Sequence, residues 1–281
     1  PGVVVVSAPP KSGFSTAFNN TVRMIDRYLL NTEAVEDSQK PDDSVENAPV
    51  NTIDSSTSES PMTVLPSLLR KYPDAVVCRH VVNAGSLNLL MEQPDLDRRI
   101  VVGVAGPATA PEALLSLLAF KGPDDAKVSR DDVAKNVRAV LNVRVIRKLC
   151  DGCKAFQPAA PQILQQLSIP AGKVTGFYQQ GPPPAPPLNP NLKPEDQPQP
   201  PATCPACNGI GYRDRTAVYE LLVVNDVIKK ALKQAKDPQS FLAACKQAGH
   251  IGIRERAIVS TCRGITDFRE IDRIGLLRPK K

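Results

Sequence analysis

The stretch VVVVSAPPKSGFSTAFNNTV, residues 3–22, joins a run of valines to a turn and then to a segment with helical character. Four consecutive valines are typical of a strand that is buried on both faces. The turn resembles a phosphate-binding loop, G-x-x-x-x-G-K-[ST], with Gly13 at the second glycine and Ser15 at the hydroxyl position. Phe14 stands where that loop carries lysine. The stretch therefore predicts a nucleotide-binding type of fold whose loop lacks its cation.

Strand patterns alternate with helical patterns through the first half of the chain. Strands are predicted at 75–78 and 100–104, and helices over 16–30, from Met62, from Pro111 and over 131–150. Residues 31–61 are acidic, rich in serine and threonine and poor in apolar residues, so we expect a flexible insertion there. The alternation predicts an α/β fold with a mainly parallel sheet, and the chain from Tyr212 onwards is predicted to be helical.

The bulk composition limits the class of protein. The 281 residues carry a net charge of +6 and are 42% hydrophobic, which fits a globular protein with a mildly basic, solvated surface. The basic residues are dispersed rather than clustered, so no nucleic-acid partner is expected. No apolar run approaches the ~20 residues that a bilayer crossing needs. Because the chain begins with Pro-Gly and enters a strand at once, we expect a fragment that lacks a preceding domain.

Two cysteine pairs carry the strongest chemical signal in the sequence. Cys150 and Cys153 form one C-x-x-C, and Cys204 and Cys207 form another within CPACNGIGY. Two such turns supply the four thiolates of a closed, tetrahedral structural zinc site, which we favour over a redox dithiol. The chain between the pairs includes a proline-rich stretch, 181–201, which we expect to be an extended linker.

The other cysteines and the two histidines are assigned no chemistry. Seven cysteines, an odd number in a long chain, do not suggest a disulfide scaffold and favour a reducing cytosol. Cys78, Cys245 and Cys262 are interpreted as small apolar core residues. His80 and His250 stand alone in their sequence surroundings, so neither is predicted to bind metal or to catalyse a reaction.

Three stretches together resemble a known family: RVIRKLCDGC at 144–153, CPACNGIGYRDRTAVYELLVVNDVIKKAL at 204–232 and GITDFREIDRI at 264–274. They are similar to the C-terminal part of the secretion ATPases, which drive type II secretion and type IV pilus assembly. The resemblance extends back over the whole chain, including VEDS at 35–38, where the family has an E-D-P turn. It implies a RecA-like P-loop NTPase core over 1–149, a four-cysteine zinc module over 150–211 and a C-terminal helical subdomain over 212–281.

In the register of that family the phosphate loop is incomplete. Ala8 replaces the first glycine, and the phenyl ring of Phe14 cannot supply the positive charge that lysine places on the β- and γ-phosphates. The residues that remain of this vestigial loop are Lys11, Gly13, Ser15 and Thr16. We therefore expect binding of ATP and magnesium to be weak or absent.

Two further sites depart from the family pattern. YPDAVVCRHVVN takes the place of D-P-D-x-x-x-x-G-E-x-R-D; Asp74 is kept, but His80 replaces the glutamate that would polarise the attacking water. Val82 and Asn83 replace the arginine and the final aspartate. The family's S-T-x-H-T-N box reads GVAGPA, with Gly106 in place of histidine. With Phe14, His80 and Gly106 as degenerate positions, no catalytic residue is predicted.

These losses imply a degenerate homologue of the secretion ATPases that acts as a structural or regulatory subunit of a type II secretion or type IV pilus-like assembly. The partners that the resemblance implies are other subunits of that machine, among them an active homologue in a ring, and an inner-membrane platform protein. The expected location is the cytoplasm, at the periphery of the inner membrane.

Two alternatives stay open at the level of sequence. One is a slow or partner-assisted ATPase that uses Lys11 and Ser15, so the question of whether the chain is an enzyme is not closed. The candidate magnesium ligands of such an enzyme are Asp42, Asp43, Asp54 and Asp74. The other is a zinc-ribbon protein that binds nucleic acid through Arg213 and Arg215, which leaves the βαβ region unexplained.

Overall fold

The structure is a computed structural model that describes most of the chain. The described residues are 1–122, 126–167, 169–170, 172–183, 190, 193, 202–235 and 237–277. The linker predicted at 181–201 therefore lies largely outside the described residues.

The secondary structure alternates between strands and helices up to the middle of the chain. The strands are β1 (Gly2–Ala8), β2 (Thr32–Asp37), β3 (Val50–Ile53), β4 (Ala75–Cys78), β5 (Arg99–Ala105), β6 (Val137–Leu149), β7 (Lys154–Pro158), β8 (Gly176–Gln180) and β9 (Tyr212–Val223). The helices are α1 (Phe14–Arg23), α2 (Pro61–Leu69), α3 (Ala84–Glu92), α4 (Ala110–Leu117), α5 (Arg130–Asn136), α6 (Pro161–Gln166), α7 (Asp226–Gln234), α8 (Pro238–Gln247), α9 (Ile253–Cys262) and α10 (Phe268–Arg273).

One large sheet organises the fold, in the strand order β3-β2-β4-β5-β1-β6-β9. The pairs β1–β5, β1–β6, β2–β3, β2–β4 and β4–β5 are all parallel. The edge strand β9 runs antiparallel to β6, because the Val224 amide donates to the Arg138 carbonyl (2.9 Å) and the Cys150 amide donates to the Gly211 carbonyl (3.0 Å). The mainly parallel sheet confirms the predicted α/β class.

The two faces of the sheet are covered to different extents. Val3 and Val5 of β1 point into a large apolar core that also contains buried residues of α2, α3, α4, α5, α7 and α8. Val6 points to the opposite face, into a smaller cluster with Phe18 and Val22 of α1. β1 is thus buried on both faces, as the uninterrupted pattern of its four valines predicts.

The described chain divides into two compact units. The first comprises Pro1–Arg144 and Tyr219–Gly252, and the second comprises Val145–Val218 and Ile253–Lys281. The second unit contains the antiparallel β7–β8 pair, α9, α10 and an apolar cluster that includes Ile146, Val218 and Ile271. The C-terminal region predicted over 212–281 contributes to both units. None of the helices in the described part of the chain has the length and apolar content that a bilayer crossing requires.

Strands β4 and β5 lie where the sequence predicts them, whereas the expectation for 31–61 is wrong. Those residues contain β2 and β3, which pair in parallel within the sheet. β2 carries acidic residues in a buried strand: Glu33 accepts a hydrogen bond from Asn51 (2.7 Å) and Asp37 accepts one from the Ser55 amide (3.2 Å). Because such partners are distant in sequence, composition alone indicates a solvated loop here.

Three helix boundaries also differ from the sequence-based expectation. The helix predicted over 131–150 ends at Asn136 and continues as β6, in which β-branched residues such as Val140 and Ile146 are buried. The chain from Tyr212 begins with β9, whose side chains from Val218 to Val223 alternate between buried and exposed, a period that fits a strand. The first helix ends at Arg23, so it is shorter than the predicted 16–30.

Candidate functional sites

The loop between β1 and α1 has the shape of a tight strand-to-helix turn. The Ser12 amide donates to the Pro9 carbonyl (3.2 Å), and Lys11 adopts a positive φ of 58°. Gly13 is left-handed (φ 91°) and precedes the first turn of α1, where its carbonyl accepts from the Ala17 amide (3.0 Å). Ser15 and Thr16 lie exposed at the start of α1, and the Lys11 side chain is also exposed. The predicted loop residues thus lie in a tight turn that leads directly into α1.

Phe14 occupies the space above the ends of the neighbouring strands. Its ring stacks on His80, with centroids 5.7 Å apart and planes at 27°, and lies 5.8 Å from the ring of Phe18. A Cβ on Gly103 of β5 would come within 2.6 Å of Phe14 Cζ and 2.0 Å of the Arg79 carbonyl oxygen, so the aromatic ring requires glycine beneath it. Two of the three positions predicted to be degenerate are therefore neighbours.

His80 is held as part of this apolar contact. Burial lowers the pKa of His80, and the charges of Lys40 and Arg79 lower it further. The neutral ring is thereby favoured at neutral pH, which suits an offset, tilted packing against Phe14. Gly106 is the third position predicted to be degenerate: its amide donates to the Ala8 carbonyl (3.0 Å), and a Cβ there would meet no atom within 4 Å.

A buried arginine, which the sequence analysis did not select, lies beside His80. The Arg79 side chain is 2% exposed and forms ion pairs with Glu36 (2.8 Å) and Asp42 (3.1 Å). It also donates to Asn19 of α1 (2.7 Å), and its guanidinium lies 4.7 Å from the centroid of the Phe18 ring. The Arg79 cluster, defined by these five residues, joins α1, the end of β2, the following loop and the end of β4.

The candidate magnesium ligands are dispersed rather than gathered. Asp42 belongs to the Arg79 cluster, and Asp43 is exposed. Asp54 accepts from the Ser56 amide (2.9 Å), and Asp74 accepts from the Asn31 amide (2.8 Å) at the start of β4 rather than at its end. Val82 is 49% exposed, and Asn83 caps α3 by accepting from the Ser86 amide (2.9 Å). These positions make local structural contacts and form no common site.

The four cysteines of the two C-x-x-C pairs meet in the second unit. Their sulfur atoms all lie within 4.8 Å of one another, and the four residues are buried. Cys150 and Cys204 are 4.0 Å apart at sulfur, and Cys153 and Cys207 are 3.7 Å apart. This cysteine cluster could hold a metal ion. Among the described residues, no other group of three or more His, Cys, Asp or Glu side chains comes together in this way. Four thiolates at such separations suit a tetrahedral ion.

Backbone groups around the cysteine cluster complement its charge. The Gly211 amide donates to Cys207 Sγ (3.3 Å). Burial acts to raise the pKa of Cys207, but this amide and the neighbouring thiols outweigh it and lower the pKa to about 7. Gly211 has a φ of 79°, and a Cβ there would meet Gln180 Cγ at 2.5 Å, so glycine is required on both counts. Gly211 therefore allows its backbone amide to face the Cys207 sulfur.

A charged network anchors the closing helix in the same unit. Glu270 of α10 is fully buried and accepts hydrogen bonds from Arg147 (2.7 Å) and Arg273 (2.6 Å). Burial alone raises the pKa of Glu270, but the two guanidinium groups outweigh it and lower the pKa to about 2. Tyr212 donates to Asp267 (2.8 Å), which caps the same helix. The sequence stretch 264–274 thus packs as one charged and aromatic cluster.

His250 is not isolated, contrary to its sequence surroundings. Its Nε2 lies 2.6 Å from a carboxylate oxygen of Glu220, and both side chains are buried in the first unit. The other oxygen of Glu220 accepts from the Ala110 amide (2.9 Å) at the start of α4. The pair joins β9 to the first turn of α4 and to the chain after α8. Cys78 and Cys245 are buried, and Cys262 is half-buried, as small apolar residues are expected to be.

Comparison with known proteins places this arrangement in a family. A family model described as "Type II/IV secretion system protein" matches residues 1–273. The type IV pilus assembly ATPase PilB of Thermus thermophilus is 22% identical over 270 residues, which cover 96% of this chain and 27% of that protein. The type II secretion system protein E of Klebsiella pneumoniae is 23% identical over 275 residues, covering 97% of this chain and 48% of that protein.

Solved structures share the fold across nearly the whole chain. The pilus retraction motor PilT with bound ADP superposes with a TM-score of 0.60 at 13% identity, covering 99% of this chain and 62% of that chain. The ATPase DotB of Legionella pneumophila gives a TM-score of 0.55 at 13% identity, covering 97% and 59%. The present chain spans about half the length of the protein E relatives and about a quarter of PilB. On the extent of the family match, the chain belongs to the type II/IV secretion system protein family.

Proposed function

We propose that this chain is a subunit of a type II secretion or type IV pilus-like machine that has lost ATP hydrolysis and serves a structural or regulatory role. The observation that carries the proposal is the contact between Phe14 and His80, 5.7 Å apart at their ring centroids. In the family register these positions hold the phosphate-binding lysine and the water-polarising glutamate. Each such group contributes several kcal/mol to lowering the barrier of phosphoryl transfer, and a pair of stacked rings contributes neither charge nor base.

The Arg79 cluster supports the same proposal. In the family pattern, the position of Arg79 holds the glycine that precedes the glutamate. The Arg79 guanidinium neutralises Glu36 and Asp42 within the protein. These carboxylates are therefore satisfied without a metal ion. Because the Arg79 guanidinium already supplies the positive charge, this site needs neither magnesium nor nucleotide to stay ordered.

The cysteine cluster is proposed to hold a structural zinc ion through Cys150, Cys153, Cys204 and Cys207. A closed four-thiolate site leaves no open coordination position for a reaction, so the ion would stabilise the second unit. The proposed partners are other subunits of the machine, including an active homologue in a ring and an inner-membrane platform protein. The corresponding location is the cytoplasmic face of the inner membrane.

Calorimetry with ATP and magnesium tests the proposed function on the full chain loaded with zinc. At nucleotide concentrations up to the millimolar range we expect no saturable heat and no shift of the melting temperature. Saturable binding that Ser15→Ala abolishes, together with phosphate release, would overturn the proposal. Ser260→Ala, a half-buried position in the second unit, is the matched control for the removal of a hydroxyl.

The second candidate function is a slow or partner-assisted ATPase. It is favoured by one observation: Lys11, Ser15 and Thr16 are exposed in a tight turn that leads into α1. This candidate predicts turnover that Lys11→Ala removes, whereas the structural role predicts no turnover in either protein. A phosphate-release assay, with and without an active homologue added, separates the two candidates.

A further inference from the structure

The main chain crosses between the two units at three places, which we call the passages. They fall between residues 144 and 145, between 218 and 219, and between 252 and 253. The first lies within β6, the second within β9 and the third directly before α9. A conformational change in a protein of two units is absorbed by a few residues of the connecting main chain. The contacts that hold the passages therefore decide how easily they bend.

The central sheet supports the first passage only in part. Pairing between β1 and β6 ends at Ser7 and Asn142, two residues before the passage. The buried Asn142 side chain forms bonds at that point: its Nδ2 donates to Ser7 Oγ (2.8 Å) and to the Pro107 carbonyl (3.1 Å). Where the backbone ladder with β1 stops, a side chain thus ties β6 to the segment that follows β5.

The same segment holds a residue beside each of the first two passages. Arg144, the last residue before the first passage, donates to the Ala108 carbonyl (3.2 Å). Glu220, the second residue after the second passage, accepts from the Ala110 amide (2.9 Å). We call residues 107–110 the clamp, because nearly every residue of this short segment bonds one of these side chains.

His250 connects the third passage to the clamp through Glu220. It lies two residues before Gly252, the last residue of the first unit at that passage, and its Nε2 is 2.6 Å from a Glu220 carboxylate oxygen. Both side chains are buried. Burial lowers the pKa of Arg144, while the charges of Glu112 and Glu220 act to raise it, so the same carboxylate also stabilises the anchor of the first passage. Polar groups of the first unit thus link all three passages to one segment.

The anchors of the clamp share partners, so they are expected to break together. Loss of Glu220 would leave His250 Nε2 and the Ala110 amide, which are both in buried residues, without their acceptor. A buried polar group without a partner is costly, and members of one hydrogen-bond network depend on each other. The clamp itself is within reach of a disturbance from outside, because it begins next to the exposed Gly106.

From these contacts we infer that the clamp is a conformational latch. It holds the three passages as one cooperative opening unit, and a displacement at the end of β5 releases all three together. Cooperative units of this kind open at a lower free energy than the whole fold. The inference rests on neither nucleotide binding nor the proposed zinc ion.

Hydrogen exchange followed by mass spectrometry tests the latch on the full chain. In His250→Leu we expect about tenfold faster exchange than in the wild type at all three passages, in the segments 143–146, 217–221 and 250–253. His250 lies on neither β6 nor β9, so faster exchange in those strands would not come from a lost ladder contact. His80→Leu is the matched control in the same unit, and it should leave exchange at the passages unchanged.

A second variant acts from the end of β5. Gly106 has a φ of 118°, and a Cβ there would meet no atom within 4 Å, so Gly106→Ala strains the backbone beside the clamp without a clash. It should accelerate exchange at the same three passages. Gly275→Ala, at a glycine with a φ of 74° and equally open surroundings, is the matched control.

Three results would overturn the inference. The first is acceleration confined to the passage nearest the substitution, and the second is equal acceleration in a variant and its matched control. The third is uniform acceleration along the chain, which would mean that the passages open only with the whole fold. Circular dichroism establishes that each variant is folded. Glu220→Gln, which keeps the shape of the side chain, replaces His250→Leu if that variant is not folded, and the same acceleration is expected of it.

Discussion

The ends of β1 and β4 and the cysteine cluster differ in the kind of side chains that they bring together. At the strand ends the loop after β1 is a tight turn, and the rings of Phe14 and His80 stack beside it. In the second unit all four thiols of the paired C-x-x-C turns are present and converge within 4.8 Å. The first region brings together two aromatic rings, and the second brings together four ligand-type thiols.

The comparison of the two regions separates groups that serve catalysis from groups that stabilise the folded state. A catalytic site needs cations and a base placed for a transition state, and these groups do little for the folded state. A structural metal site contributes its binding free energy directly to folding. Loss of hydrolysis can therefore leave the sheet intact, whereas loss of one cysteine would affect the stability of the whole second unit.

The largest expected effect follows removal of a proposed zinc ligand. Binding of structural zinc supplies about 10 kcal/mol or more in small zinc modules at neutral pH, so Cys204→Ser should unfold or strongly destabilise the second unit. Atomic emission should find one zinc per wild-type chain and almost none in the variant. Cys262→Ser, at a half-buried cysteine outside the cluster, is the control and should keep its metal. Equal metal content in the Cys204→Ser and Cys262→Ser proteins would contradict the proposed zinc site and with it the contrast between the cysteine cluster and the strand ends.

The next largest effect is expected at the Arg79 cluster. Arg79→Met leaves Glu36 and Asp42, which are 13% and 19% exposed, without their cation. Removal of one partner of a buried ion pair typically costs about 3 to 5 kcal/mol. Urea denaturation measures this loss of unfolding free energy, and the exposed Arg70→Met is the matched control. An effect as small as that of the control would mean that the strand ends do not depend on an internal cation.

Glu270 predicts a pH-dependent stability of the second unit. Its pKa is lowered to about 2 in the folded protein, below the unfolded value, so its contribution is present above pH ~4.5 and is lost as the pH falls toward 2. At about 1.4 kcal/mol per pKa unit, the contribution at neutral pH is about 3 kcal/mol. Glu270→Gln should remove that amount at pH 7 and flatten the acid limb of the stability curve. The exposed Glu255→Gln should leave the curve unchanged.

The smallest effect is expected from restoring charge to the strand ends. The double variant Phe14→Lys, His80→Glu replaces the stacked rings with the groups of the family pattern. Weak, millimolar nucleotide binding would then stabilise the fold by about 1 kcal/mol at a few millimolar ATP with magnesium, a small rise in melting temperature. The wild type should show no rise. A rise of equal size in the wild type would contradict the proposed loss of nucleotide binding.

Local sequence patterns predict much of the central sheet and the membership of the cysteine cluster. Uninterrupted valines specify β1 as a two-sided strand, and β4 and β5 follow the same rule. The spacing of two C-x-x-C turns specifies a four-thiol site because each turn is a local geometry. The resemblance found in the sequence rests on stretches of the same local kind, and the family model matches residues 1–273.

Long-range contacts decide the features that the sequence leaves undetermined. The acidic β2 is a strand because Asn51 and Ser55 satisfy its buried carboxylates, and β6 is a strand because it pairs with β1 within the sheet. Arg79 can be buried with bonded partners only because α1 and the end of β2 bring Asn19 and Glu36 to it. A residue's chemical type and local spacing are properties of the sequence, whereas its partners and its burial exist only after distant segments have packed together.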